Sequence, residues 1–199
     1  MKVLIACECS GVVRRAFRAL GHDAWSCDLK DAEDGSQHHI KTDFRSAIQE
    51  SWDFVGYHYE CRVMANSGVR WLHTKPGRRA ELDEAAAIFN ITLRDTRPGY
   101  SENSIMHKYA KARIDREQDQ VIQPHWFGVP KFKGTCIWVR QIPPLKRTHW
   151  MALPKRGTKE YTEWSSVHRA PPGPARATNR ARTELLVGEA MATQWSAVQ

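Results

Sequence analysis

No apolar run in the chain approaches the ~20 residues that cross a bilayer, so no spanning helix and no membrane partner are expected. The opening stretch, MKVLIACECS, has one lysine and a very short apolar run before Glu8; it reads as a first β-strand and not as a signal peptide. Paired CxxC motifs are missing. The five cysteines (7, 9, 27, 61 and 136) are an odd number, which argues against a disulfide framework and for a reducing cytoplasm. Cys7-Glu8-Cys9 is too small a ligand set to argue for zinc. The GxGxxG fingerprint of a dinucleotide site is also missing: the first strand is followed by a turn with a single glycine, Gly11. Acidic residues are in deficit, 22 Asp+Glu against 30 Lys+Arg, giving a net charge of +8 and favouring polyanion partners, nucleic acid first. No internal repeat is found.

The 199 residues suffice for one domain with a proper core and a small appendage, and 41% hydrophobic with 26% charged residues is ordinary for a globular protein. Lys2 to Cys7 reads as a buried strand, Cys9-Ser10-Gly11 as a turn, and Val12 to Leu20 as a helix with apolar residues at 12, 13, 16, 17 and 20. Gly21 suits the end of that helix, and Ala24 to Cys27 is a second strand ending at Asp28. Strand, tight turn, helix, strand and acid make a βαβ unit of nucleotide-binding type, in which Asp28 would hold a ribose diol. An ordinary turn acid explains Asp28 equally well. The single glycine suits S-adenosylmethionine, which has no pyrophosphate, better than a dinucleotide. His38 to Asp43 is a third strand; Asp43 could meet an adenine amino group or simply cap a helix from Phe44 to Glu50.

The stretch WDFVGYHYECRVMANSGVRWL, Trp52 to Leu72, organises the rest. Its first half suits a buried fourth strand, after which Cys61 sits where an open α/β sheet places its chemistry. Cys61 is either a nucleophile or one more small, half-buried hydrophobe. Arg79 to Arg94 is the clearest helix. A fifth strand from Pro98 ends at Glu102-Asn103, a helix is expected from Ile105 to Ile114, and Gln120–Gln123 and Thr135–Val139 are further strands. APPGP (170–174) reads as a linker, and Glu184 to Trp195 as a terminal helix.

Charge is uneven. From Arg140 to Arg182 there are ten Lys/Arg against two acids, with Trp150, Tyr161, Trp164 and His168 among them. Arg147, Lys155, Arg156 and Arg169 lie in this stretch. Basic residues interleaved with aromatics suit phosphate contact and base stacking, with Trp150 and Trp164 as stacking candidates. Trp71, Trp138 and Trp195 read as core. Lys133 reads as a phosphate or cofactor contact or, more simply, as an exposed lysine at a strand start.

Taken together, Lys2 to Leu29, Ala65 to Leu72 (ANSGVRWL), Glu102 to His107, Gln123 to Val139 and Ala190 to Trp195 resemble the DNA cytosine-5 methyltransferases, and more closely a short, phage-type subgroup of them. The resemblance covers nearly the whole chain. It implies an α/β, Rossmann-like methyltransferase sheet with helices on both faces, S-adenosylmethionine as cofactor, double-stranded DNA as partner, and the cytoplasm of a bacterial host as location. Carried over, Ser10 and Gly11 would lie at the cofactor's methionine end, Asp28 at its ribose and Asp43 at its adenine. Cys61 would attack carbon 6 of cytosine, Glu102 would hold N3 and the exocyclic amine, and Asn103 would brace the cysteine loop. Carbon 5 becomes nucleophilic only after a thiolate adds to carbon 6; methyl transfer and loss of the carbon-5 proton then release the thiolate. The base must first be flipped from the duplex. Arg70, in the shared GVRWL run, would reach the flipped base or its phosphate.

The sequence departs from that pattern twice: Glu60 stands where the family has proline before the cysteine, and Ser104 follows Glu102-Asn103 where the family has proline or valine. Proline stiffens the loop, whereas a carboxylate beside the nucleophile disfavours its thiolate. The expected organisation is a Rossmann-like unit over 1–140, a basic Pro-rich segment over 141–182 and a helix over 183–199 packing back on the core. Three readings remain: an active methyltransferase; a degenerate DNA- or protein-binding module; and another nucleobase- or nucleotide-modifying enzyme using Cys61 with His58 or His73. On their own, His58 reads as packing at a strand end and His73 as a surface residue.

Overall fold

The computed structural model describes residues 1–169, 171 and 176–197. Seven strands form one mixed sheet in the order β3-β2-β1-β4-β5-β7-β6, a Rossmann-like arrangement. They are β1 (Lys2–Ala6), β2 (Asp23–Asp28), β3 (His39–Lys41), β4 (Phe54–Tyr57), β5 (Gly99–Ser104), β6 (Gln120–Ile122) and β7 (Thr135–Arg140). β7 is antiparallel to both its neighbours, and the other pairings are parallel. All seven lie within or beside the stretches expected from the sequence.

The nine α-helical segments are α1 (Val12–Ala19), α2 (Phe44–Ala47), α3 (Trp71–Thr74), α4 (Arg78–Arg94), α5 (Lys108–Lys111), α6 (Lys159–Trp164), α7 (Ser166–Arg169), α8 (Arg176–Ala181) and α9 (Leu185–Ser196) among the described residues. Alternation along the strands assigns them to two faces. Val3 and Ile5 pack with Val13 and Phe17 of α1 and with Val187, Met191 and Trp195 of α9. Leu4 and Ala6 point the other way, to Phe44 and Ala47 of α2. Cys136 and Trp138 lie against Leu82, Phe89 and Leu93 of α4, while Ile137 between them joins the α1/α9 side.

Several expectations are corrected. The helix expected from Ile105 to Ile114 shrinks to Lys108–Lys111, because residues 105–107 are held extended by the cysteine loop: Asn66 N–H donates to the Ile105 carbonyl (2.9 Å) and His107 N–H to that of Met64 (3.1 Å). Trp71 is 42% exposed and not core, whereas Trp164 is buried against Phe132 and His125 and cannot stack on a base. Trp138 and Trp195 are core as expected, and Trp150 is 76% exposed.

Arg140 leaves the basic face altogether. It is buried under β5, donating to the carbonyls of Val55 (2.6 Å), Thr92 (3.2 Å) and Arg97 (3.2 Å) and to Ser101 Oγ (3.1 Å). Gly99 makes room for it: at φ 147° its absent Cβ would stand 2.0 Å from the Val55 oxygen and 2.8 Å from Arg140. The linker expected at 170–174 lies outside the described residues apart from Pro171, as does the His168 side chain.

Candidate active site

The carboxyl ends of β1, β2, β4 and β5 face one side, so the turns that follow them share a crevice. The β1–α1 turn is built around Glu8, which is 4% exposed. One carboxylate oxygen accepts from Val13 N–H (2.8 Å) and from the Ser10 hydroxyl (3.3 Å), and the other from Arg14 N–H (3.2 Å). Val12 N–H reaches Ser10 Oγ (3.5 Å) and Arg15 N–H the Gly11 carbonyl (2.9 Å), so the first four amides of α1 are all taken. This helix start offers no cradle for a phosphate. Gly11 enters the helix at φ 65°. Cys7, just before, also has positive φ (61°), and burial, with Cys27, Asp28 and Asp43 nearby, pushes its thiol well above the ordinary value.

Asp28 ends β2. One of its oxygens accepts from Lys30 N–H (3.0 Å), and the other has no hydrogen-bond or ion-pair partner among the described residues. Asp43 caps α2, the second of its two expectations. Its oxygens accept from Arg45 N–H (2.8 Å), Arg45 Nε (2.9 Å) and the Arg45 guanidinium (2.6 Å), and the side-chain bonds hold its carboxyl below the usual value.

Cys61 lies in a tight loop after β4, its carbonyl accepting from Met64 N–H (3.1 Å) and Ala65 N–H (2.8 Å). The end of β5 and the segment after it grip this loop. Asn103 Nδ2 donates to the Tyr59 carbonyl (3.2 Å), and His107 Nε2–H donates to the Val63 carbonyl (3.0 Å) while its Nδ1 accepts from Ala110 N–H (3.0 Å). Glu60 points outward and pairs with Arg62 at 2.7 Å.

Glu102 comes from β5, its side chain 17% exposed and 3.5 Å from His58 Nδ1. Lys133 completes the group. Burial pushes its ammonium below the ordinary lysine value, with Glu102, Glu184 and Cys61 nearby countering this only in part. Lys133 is therefore no free surface lysine: Nζ donates to the carbonyls of Ala181 (3.2 Å) and Arg182 (2.7 Å). These bonds hold the chain between α8 and α9 across the crevice, where Thr183 stands 3.5 Å from His58 Nδ1, Glu184 pairs with Lys131 (2.6 Å) and Arg182 pairs with Glu33.

Lys133 thus lies near both Cys61 and Glu102, and Asn103 ties β5 to the Cys61 loop, while Ser10 and Gly11 lie on the β1–α1 turn, Asp28 ends β2 and Asp43 is paired with Arg45. Arg70 is exposed, its guanidinium 4.4 Å over the Trp71 ring. Arg147 lies 5.7 Å from the exposed Trp150 ring, and Lys155, Arg156 and Arg169 are exposed in the segment after β7. Sequence reading missed Glu8 and His107 as structural holders of this region; Glu8 stands four residues before α1 and His107 is not a residue type favoured at a helix start, so neither gave a capping signal. Among the described residues no group of three or more His, Cys, Asp or Glu is arranged to bind a metal ion, and no helix is long and apolar enough to cross a membrane. No protein-family model matches the chain, and no curated protein matches it.

Proposed function

We propose that the protein is a cytosine-5 methyltransferase of DNA that uses S-adenosylmethionine, with Cys61 as nucleophile and Glu102 as acid. The observation that carries this reading is that Lys133 lies near both Cys61, in the loop after β4, and Glu102, near the end of the adjacent β5. The crevice fits the cofactor on two counts. The first α1 amides are filled by Glu8, Ser10 and the Gly11 carbonyl, so a pyrophosphate finds no donors, whereas a sulfonium cation suits carboxylate surroundings. Asp28 has one oxygen free for a ribose diol.

Bound S-adenosylmethionine supplies an electrophilic methyl group. The chain's own residues do the rest. Cys61, as thiolate, adds to carbon 6 of a flipped cytosine, and Glu102, as the acid, gives its proton to N3 so that the ring keeps its electron pair at carbon 5. After carbon 5 has gained the methyl group, loss of its proton expels the thiolate. Asn103 holds the Cys61 loop against β5. The basic segment after β7, with Arg147, Trp150, Lys155, Arg156 and Arg169, contacts the duplex, as does Arg70.

The first test is a calorimetric titration with S-adenosylmethionine. Binding weakened about tenfold or more by Asp28→Ala supports the crevice assignment. No binding at millimolar cofactor removes the methyltransferase reading. Fluorocytosine DNA should then trap Cys61 as an adduct that Cys61→Ser does not form.

A second reading, a DNA- or protein-binding module without methyl transfer, is favoured by Glu60, which precedes Cys61 where the resemblance implies a loop-stiffening proline. Glu60→Pro that restores or raises methyl transfer supports the degenerate reading; unchanged transfer shows that Glu60 was no obstacle.

A further inference from the structure

A glycine in the middle of the buried strand β4 calls for a reason. Gly56 pairs in register with Tyr100 of β5, and a Cβ on it would lie 2.6 Å from Cε1, 2.7 Å from Cζ and 2.9 Å from the hydroxyl of Tyr100. β4 gives up a side chain there so that the phenol can cross it. The ring is fully buried, 4.6 Å from that of Trp195. Its hydroxyl emerges 2.6 Å from His58 Nε2.

This contact fixes the proton positions. Burial, with Glu8 and Glu102 nearby, pushes the Tyr100 phenol well above its ordinary value, so the hydroxyl keeps its hydrogen. A buried O–H needs an acceptor, and among the described residues His58 Nε2 is the only one in range. Nε2 therefore accepts, which places the ring hydrogen on Nδ1. Nδ1 faces Glu102 Oε1 and Thr183 Oγ1, each at 3.5 Å. The His58 side chain is only 7% exposed, and no other charged or imidazole group among the described residues pairs with Glu102.

We propose that Tyr100 and His58 are positioning residues for Glu102: the Tyr100 hydroxyl holds His58 as the Nδ1–H tautomer, and that hydrogen aims the Glu102 carboxyl group at its substrate. The assignment rests on Glu102 as the acid of the methyl-transfer reading, but the tautomer is a property of the folded protein and can be measured without any reaction.

The test uses the full chain with 15N-labelled histidine, His58 being assigned by its loss in His58→Asn. Long-range 1H–15N spectra at neutral pH should show His58 Nδ1 protonated and Nε2 bare. In Tyr100→Phe, which keeps the ring and loses only the hydroxyl, the Nε2–H form should gain population. A wild-type His58 in the Nε2–H form, or a tautomer balance unmoved by Tyr100→Phe, overturns the proposal. The wild-type spectrum decides even if the variant folds poorly.

Adduct trapping on fluorocytosine DNA supplies the second readout. Tyr100→Phe should slow trapping about tenfold with DNA affinity unchanged, and should add nothing in a Glu102→Gln background. Equal losses in both backgrounds overturn the route through Glu102. If the wild-type chain traps no DNA, the methyl-transfer reading fails, and the tautomer measurement still decides how His58 is held.

Discussion

Asn103 Nδ2 donates to the carbonyl of Tyr59 at 3.2 Å, tying β5 to the loop that carries Cys61. Asn103 is 1% exposed, and its Oδ1 has no partner among the described residues, so this single bond is what the side chain contributes. Asn103→Ala should cost about 1 kcal/mol of stability by urea unfolding. It should also loosen the loop enough that Cys61 reacts severalfold faster with a neutral alkylating reagent. Unchanged alkylation would mean that His107 alone holds the loop.

Arg140 offers the largest stability effect. Its guanidinium serves three buried carbonyls and one hydroxyl, and burial pushes it down to about 10, with Asp95 and Tyr57 opposing. Arg140→Met keeps the volume of the stem and leaves those acceptors unserved. A loss of about 3 kcal/mol is expected in urea unfolding. DNA binding by the folded fraction should not change, since Arg140 lies inside the sheet.

Acid should remove a stabilising ion pair at Asp34. Burial alone would raise its carboxyl, but hydrogen bonds from Arg14 and Arg15 outweigh this and hold it at about 2. The folded value lies below the unfolded one, so the stabilisation is complete above about pH 4 and drains away as pH falls toward 2. After discounting for solvent, about 1 kcal/mol is at stake. Asp34→Asn also strips the charged partner from Arg14, whose side chain is 1% exposed, so a larger loss is expected at pH 6. Unfolding at pH 6 and pH 2.5 should show the gap between wild type and variant narrowing at the lower pH.

The basic segment makes a prediction about salt. If Arg147, Lys155 and Arg156 touch phosphates, each change to glutamine should weaken DNA binding uniformly across sequences and reduce the salt slope by about 1. Trp150→Ala should instead weaken single-stranded binding by about 1 to 3 kcal/mol with the slope unchanged. Fluorescence anisotropy across a salt series separates the two.

Much of the sheet was legible because its strands are short apolar runs set off by turns and helices, and the β1–α1 turn was legible because Gly11 interrupts the pattern at a helix start. Asp43 was half legible: its place before a helix announced a cap, which the structure bears out. Local pattern failed where distant segments decide. Residues 105–107 look helical but are claimed by the loop after Cys61, and Trp164 looks like a surface aromatic until Phe132 folds against it. The reach of Tyr100 across Gly56 depends on strand register over 42 residues, from His58 to Tyr100, which no short window of sequence contains.

The C-terminal helix has a consequence for synthesis. α9 covers α1 and the first strands, and the residues just before it close the crevice through Thr183 and Lys133. A nascent chain that has reached only residue 180 leaves Val13, Phe17 and Phe54 without this cover, and its crevice lacks one wall. Such long-range contacts form late. The crevice is therefore finished after translation has passed α9, and until then its apolar face is available to chaperones.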